Sequence, residues 1–321
     1  MKNQDETNSD INDSQIKELL NEIFEEIESR SIGTSHNGID TSFYDFDAIT
    51  QGLAPSYVYI IGGRPCMGKT AFTLNIAKNI SQIQKLPICF FSLEMSKKML
   101  SYRLLSMETG IESGRLKTGR LTMEEWPILG EAINFISQND IFFVDKQSIQ
   151  VSEIRDFCNK FKTKIKKNIG LIVIDNLQLM EDKGLNSNIA REDELSKILC
   201  DLKNLALSQK VPILITSQLK RELEERTNKR PMLSDLRESD QIENYADLIA
   251  FIYRDEYYNP ETEERGITEI IVTKQKDGPV GTVKLLFEPQ YTRFRNLAIW
   301  SKINFIKVKV IWKEIIATYI F

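Results

Sequence analysis

From Ser14 onward the apolar residues Ile16, Leu19, Leu20, Ile23, Phe24 and Ile27 recur at helical spacing, with Glu18, Glu22, Glu25, Glu26 and Glu28 elsewhere. The period predicts an amphipathic helix that ends near Arg30 and leads into the linker "SIGTSHNG". An apolar helix face needs a surface to cover. The sequence leaves two open: the helix's own domain, or a neighbouring subunit.

Beyond the linker the period changes. Short apolar runs alternate with longer helical stretches: "YVYII" (57–61), "PICFFS" (87–92), "DIFFVD" (140–145), "LIVID" (171–175) and "VPILITS" (211–217). Runs this continuously apolar are buried on both faces, as in a parallel sheet flanked by helices. Past Asp247, "DLIAFIY", "ITEIIVT" and "TVKLLF" follow with few helical residues between them and predict antiparallel strands added at the sheet edge. No repeat appears within residues 45–297, which read as one α/β domain. Ahead of it lie a polar, acidic tail (1–13), expected to be disordered, and the helix with its linker (14–44). Residues 298–321 follow it.

Charge sharpens this division. The chain of 321 residues has a formal net charge of −4, but residues 1–50 hold twelve acids against three bases, so the remainder is net +5. The acidic arm conceals a mildly basic body, so the negative net charge does not exclude nucleic acid as a partner. Cys66, Cys89, Cys158 and Cys200 form no Cys-x-x-Cys pair, which predicts a reducing compartment and no zinc site. The one histidine, His36, lies in the linker beside Gly and Ser and reads as solvated, leaving no candidate histidine base. The N-terminus has neither an apolar signal core nor a transit-peptide composition, and no run of apolar residues is long enough to cross a membrane. The expectation is a cytosolic-type protein.

Between "YVYIIG" and the helical "AFTLNIAKNI" stands "GRPCMGKT", Gly63 to Thr70, which fits G-x-x-x-x-G-K-T. Glycines let the backbone wrap a phosphate, and the helix N-terminus behind them binds the anion. Lys69 then reaches the outer phosphates of a nucleotide such as ATP, and the Thr70 hydroxyl holds Mg²⁺. "LIVID" ends at Asp175, a candidate second Mg²⁺ contact; read alone, a strand-terminal Asp serves a turn equally well. Glu94, after "CFFS", stands where a neighbouring strand should end, and ligands of open parallel sheets gather there. It is a candidate for activating water, or a carboxylate at the start of the next helix.

Together, "GGRPCMGKTAFTLNIA", "FFSLEMS", "LIVIDNLQLM", "TSQLKRELEERTNKRPMLSDLRES" and "ADLIAFIYRDE" resemble, in order and spacing, the motor domain of the DnaB-type replicative DNA helicases, from about Ile16 to Leu297. The resemblance implies a RecA-like P-loop NTPase fold, with a mostly parallel central sheet and antiparallel strands on its C-terminal side. It also implies a homohexameric ring that encircles single-stranded DNA and moves 5′ to 3′ on ATP. Residue by residue, Gly63, Arg64, Pro65, Cys66, Met67, Gly68, Lys69, Thr70 and Ala71 take the phosphate-loop positions. Thr70 and Asp175 take the metal positions, Glu94 the water-activating one, Gln218 the γ-phosphate sensor, and Arg103 a nucleotide contact. The helix "IKELLNEIFEEIESR" is similar to the linker helix that packs on the adjacent subunit.

In "TKQKDGPVGTVKLLF" (273–287) the family usually reads Lys-Gln-Arg-Asn-Gly-Pro, whose cations reach into the neighbour's ATP site. The resemblance therefore assigns Lys274 and Lys276 in trans. Lysine at 276 keeps the charge but lacks the planar fork of arginine, so weakened hydrolysis is expected. "SDLRESDQIENYAD" matches the DNA-contacting loop, giving Arg237, Glu238, Ser239 and Asp240. Asp240 stands where glycine is usual and should oppose phosphate, while Arg237 either contacts DNA or pairs with an acid such as Asp235.

The chain begins at the linker helix, so the collar domain of the family is expected to be missing and primase recruitment is not expected; a helicase loader is a further partner. The same resemblance implies a cytoplasmic, nucleoid-associated protein, or one of the plastid stroma if organelle-encoded. Residues 298–321, net +3, read as an incidental extension or an amphipathic element for a partner or membrane surface. The competing function is an ATP-binding ring subunit with weak or absent unwinding.

Overall fold

A computed structural model describes residues 16–31, 38–182, 190–237 and 239–297. The expectations for residues 1–13, His36, Glu238 and 298–321 fall outside the described residues, as does the side chain of Ser239. The chain divides into two units, Met1–Asn37 and Gly38–Phe321.

In the first unit, α1 (Ile16–Ser31) forms where the period predicted a helix. Leu20, Ile23, Phe24 and Ile27 on its apolar face are exposed.

The second unit starts with an antiparallel bridge, Ile39 to Leu53, and buries Thr41 and Phe43. It therefore begins at Gly38, ahead of the boundary drawn at residue 45. Its elements in order are α2 (Tyr44–Thr50), β1 (Val58–Gly63), α3 (Lys69–Asn79), β2 (Ile88–Ser92), α4 (Lys97–Thr109), α5 (Ser113–Thr118) and α6 (Glu125–Ser137). There follow β3 (Ile141–Asp145), α7 (Val151–Ile165), β4 (Leu171–Asp175), α8 (Arg191–Gln209), β5 (Ile213–Gln218) and α9 (Ser239–Tyr245). The last are β6 (Leu248–Tyr253), α10 (Asp255–Tyr258), β7 (Ile267–Gln275), β8 (Gly281–Glu288) and β9 (Arg293–Asn296).

All nine strands among the described residues form one sheet, ordered β3-β2-β4-β5-β1-β6-β7-β8-β9. The strands from β3 to β6 are parallel, and β6-β7, β7-β8 and β8-β9 are antiparallel. One detail departs from the sequence reading: "DLIAFIY" forms β6, which runs parallel to β1. The connection between β5 and β6, residues 219–247, which includes α9, returns the chain to the end of the sheet where β1 starts, so antiparallel pairing begins one strand later.

The inner strands bury both faces because helices cover both. Val58 and Ile60 face a core built with α7, α8 and α9, while Tyr59 and Ile61 face one built with α2, α3 and α4. Side chains alternate across a strand, so consecutive residues of a single run feed two cores, and only a continuously apolar run satisfies both. β3 is the edge strand and is only half-buried.

Candidate active site

The loop after β1 carries the chemistry because of its backbone. Cys66 and Gly68 both adopt left-handed conformations, φ 64° and 104°, folding residues 64–68 back over the start of α3. A Cβ on Gly63 would lie 3.2 Å from Cγ of Lys69, so glycine here makes room for the lysine stem to fold over the loop. No side chain caps the N-terminus of α3. Its first N–H groups therefore keep their capacity for an anion.

Lys69 is buried, and its ammonium donates to the carbonyls of Gly63 (2.8 Å) and Arg64 (3.1 Å). Burial pushes it down to about 8, against the upward pull of Asp175 and Glu94. An anion at this site favours the charged ammonium, so nucleotide binding above pH 8 takes up a proton. Affinity for ATP is therefore expected to be flat from pH 7 to 8 and to weaken above about 8, approaching a tenfold loss per pH unit. Calorimetric titration across pH 7–9.5 checks this.

Asp175 ends β4 and is buried. Its two carboxylate oxygens accept from the hydroxyls of Thr70 (2.7 Å) and Thr216 (2.5 Å). Thr70 and Asp175 thus place hard oxygen donors together at the first turn of α3, a donor set that fits Mg²⁺ with phosphate oxygens completing its shell. Glu94, just past β2, accepts a hydrogen bond from the Asn176 side-chain amide (3.0 Å), so a neighbour of the candidate metal ligand holds the candidate base. Arg103 projects from α4 toward the same acids. Burial lowers its guanidinium, while Asp175 and Glu94 raise it.

Gln218 is the last residue of β5 and pairs in register with Gly63, which sets it beside the start of the loop. Its backbone N–H donates to the side-chain carbonyl of Gln178 (3.1 Å), whose amide in turn donates to the Ser217 hydroxyl (3.0 Å).

The side chains at the other positions of the predicted loop go elsewhere. Met67 and Ala71 point into the core, and Pro65 and Cys66 are exposed. The Arg64 guanidinium turns away to Glu224 (2.9 Å) and the Leu219 carbonyl (3.0 Å).

The hairpin between β7 and β8 lies at the far end of the sheet from the loop. The Lys276 N–H donates to the Asp247 carbonyl, and the Asp247 N–H to that of Val58, so Lys276 is level with the first residue of β1. The phosphate loop follows the last residue of that strand, about 16 Å away at a strand's rise per residue. Lys276 is exposed. Lys274 has partners in its own chain: its ammonium donates to the carbonyls of Glu243 and Ala246 (2.9 Å for the latter) at the end of α9.

Arg237 and Asp240 are exposed, at and just beyond the entry to α9. The acid weighed as a partner for Arg237, Asp235, instead pairs with Arg226 (2.9 Å).

Residues 38–296 match the DnaB-like helicase C terminal domain. The chain belongs to this family. Among similar proteins, the "Probable replicative DNA helicase" of Trieres chinensis is 46% identical over 86% of this chain and 61% of its own length. The "Replicative DNA helicase DnaB" of Geobacillus stearothermophilus is 44% identical over 88% of this chain and 62% of its own length. The chain thus spans about three fifths of the length of these relatives.

Among solved structures, an ATPase domain superposes with a TM-score of 0.82 at 40% identity, covering 89% of this chain and 99% of that one. A second, described as "The Structure Of A DnaB-Like Replicative Helicase And Its Interactions With Primase", gives 0.79 at 40% identity, over 90% of this chain and 68% of that one. The fold is RecA-like. No helix among the described residues is long and apolar enough to cross a membrane.

Within this DnaB-like domain the sequence reading missed four contributors: Thr216, Asn176, Gln178 and Arg254. The last donates to the Cys66 carbonyl (3.3 Å) and lies over the Phe287 ring, bracing the loop from β6. All four lie within segments that resemble the family's, but no local pattern marks their partners.

Proposed function

We propose that the chain is the motor domain of a ring-forming, ATP-dependent DNA helicase of the replicative type, moving 5′ to 3′ on single-stranded DNA. The observation that carries this reading is the convergence of Lys69, Thr70, Asp175, Glu94 and Gln218 at the carboxyl ends of β1, β2, β4 and β5. Similarity to replicative helicases supports DNA as the track.

In this reading the N–H groups at the start of α3 and Lys69 bind the phosphates, with Lys69 exchanging loop carbonyls for phosphate oxygens. Thr70 and Asp175 would hold Mg²⁺, which when bound neutralises phosphate charge. Asn176 orients Glu94, which accepts the proton of the attacking water. Gln218, next to Gly63, senses the outer phosphate. The far-end position of Lys276 supports a role at a neighbouring subunit's nucleotide, so the site is complete only in a ring. Arg237 contacts DNA phosphate, and Asp240 weakens that contact.

Steady-state ATP hydrolysis with and without single-stranded DNA, paired with unwinding of forks bearing either a 5′ or a 3′ tail, tests the proposal. DNA-stimulated turnover with unwinding from the 5′ tail is expected. Intact rings that unwind neither substrate overturn it. The lysine at 276 and the carboxylate at 240 favour a second reading, an ATP-binding ring subunit with little unwinding, which predicts nucleotide binding without a response to DNA.

A further inference from the structure

Lys276 has an acid as its next neighbour. Asp277 follows it in the bend between β7 and β8, and both residues are exposed. Opposite charges this close attract each other, and the flexible lysine stem can fold onto the following carboxylate. Such a pair would neutralise the cation that the hairpin offers to a neighbouring subunit. The structure shows another arrangement. Among the described residues the Lys276 ammonium makes no hydrogen bond or ion pair, and the Asp277 carboxylate accepts from the Tyr57 hydroxyl.

Tyr57, just ahead of β1, is fixed on several sides. Its carbonyl accepts from the Ile213 N–H of β5 (2.9 Å), and its ring lies 6.2 Å from that of buried Tyr59. The Lys203 ammonium of α8 stands over the same ring, 5.2 Å from its centre, and donates to the Ser56 carbonyl (2.9 Å) and to buried Asp247 (2.5 Å). The Asp247 carboxylate also accepts from the Val58 N–H (2.8 Å), and its main-chain carbonyl accepts from the Lys276 N–H (2.9 Å). This platform carries the hydroxyl to the bend. A donor to an ionised carboxylate makes a stronger bond than one to a neutral acceptor. The bond with Asp277 is the main reason the phenol is pushed up to about 12, so it remains a donor throughout the neutral range.

We propose that Tyr57 is a positioning residue for Lys276: by holding the Asp277 carboxylate within its own chain, it keeps the adjacent ammonium available to a neighbouring subunit's phosphates. This rests on the reading of Lys276 as acting in trans. Without the hydroxyl, a released carboxylate beside the cation both pairs with it and repels phosphate. Without the carboxylate's charge, the hydroxyl becomes dispensable.

ATP turnover by the full chain with oligo-dT tests this in Tyr57→Phe, Asp277→Asn and the double variant. Phenylalanine keeps the ring under Lys203 and removes only the hydroxyl. Tyr57→Phe should lower kcat about fivefold, the scale of one lost hydrogen bond, with KM for ATP unchanged because its own phosphate loop is intact. Asp277→Asn should keep wild-type turnover, and the double variant should return to it. Wild-type turnover in Tyr57→Phe overturns the proposal. So does a double variant as slow as Tyr57→Phe, which would mark a residue that only supports the fold.

Mixing with Lys69→Met separates the proposal from the reading beneath it. Lys276→Ala and Tyr57→Phe should both gain turnover per intact loop, because a Lys69→Met neighbour presents a properly held Lys276. A gain for Lys276→Ala alone keeps the trans reading and overturns the role of Tyr57. A gain for neither overturns the trans reading and the proposal with it. Should the wild-type chain show no turnover, amide exchange at residues 276–280 decides the tie: it should quicken in Tyr57→Phe, and unaltered exchange overturns it.

Discussion

Lys69→Met lowers ATP turnover by at least about 10²–10³-fold, the range for losing one preorganised donor to developing charge, and at the same time stabilises the nucleotide-free chain. Both effects come from one buried ammonium. Its charge is suited to phosphate, and without phosphate it is a desolvated cation satisfied only by the Gly63 and Arg64 carbonyls. Burial moves it from 10.5 to about 8. The folded value lies below the unfolded one, so the group opposes folding at neutral pH, and that opposition is relieved as pH rises from about 8 toward 10.5.

A shift of that size corresponds to roughly 3 kcal/mol. Methionine removes it but leaves two carbonyls without their donor, at about 1 kcal/mol each. A net gain of about 1 kcal/mol follows, or a melting temperature higher by about 1–2 °C at this chain length. Scanning calorimetry without nucleotide checks it, and the wild-type rise in stability above pH 8 should be absent in the variant. A lower melting temperature for Lys69→Met would mean that the ammonium holds the loop more than it strains it.

The second large effect needs two defective chains. Lys276→Ala is expected to lower DNA-stimulated turnover by about 10²-fold. That is less than the 10³–10⁵ ascribed to arginine fingers, because lysine offers a point charge without the bidentate fork. Lys276→Arg should raise turnover by about tenfold for the same reason. The decisive experiment mixes Lys276→Ala with Lys69→Met. A Lys69→Met subunit cannot use its own loop but still presents Lys276, and a Lys276→Ala subunit has an intact loop but presents nothing. Where the two adjoin, one complete site forms, so activity should reappear on mixing. Mixed rings that stay inactive would place Lys276 outside its neighbour's site, whatever the sheet geometry suggests.

The phosphate loop was legible in the sequence because its chemistry is spelled in consecutive residues between a strand and a helix. Asp175 and Glu94 were legible as candidates because each ends or follows an apolar run, and parallel strands deliver their ends to one edge of the sheet; Gln218 came only through the family resemblance. Thr216 was not, since its one catalytic relevance is a hydrogen bond to a carboxylate on the neighbouring strand. Arg254 was hidden for the same reason: it reaches Cys66 across β1 and β6. The bulge at Thr273, an extra residue in β7 that decides which face Lys274 occupies, was not legible either. Nothing in "IIVTKQK" marks that bulge.

By itself, the sequence determined the α/β alternation, the strands buried on both faces, the phosphate loop and the set of acids around it, and the amphipathic character of α1. These follow from local periodicity and from residue chemistry that needs no distant partner. Only the tertiary structure decided that β6 runs parallel to β1, that Asn176 holds Glu94, that Arg64 turns away from the loop, and that Lys276 lies at the opposite end of the sheet from its own phosphate loop. Each of those depends on register and facing, which are set by contacts between segments far apart in the chain.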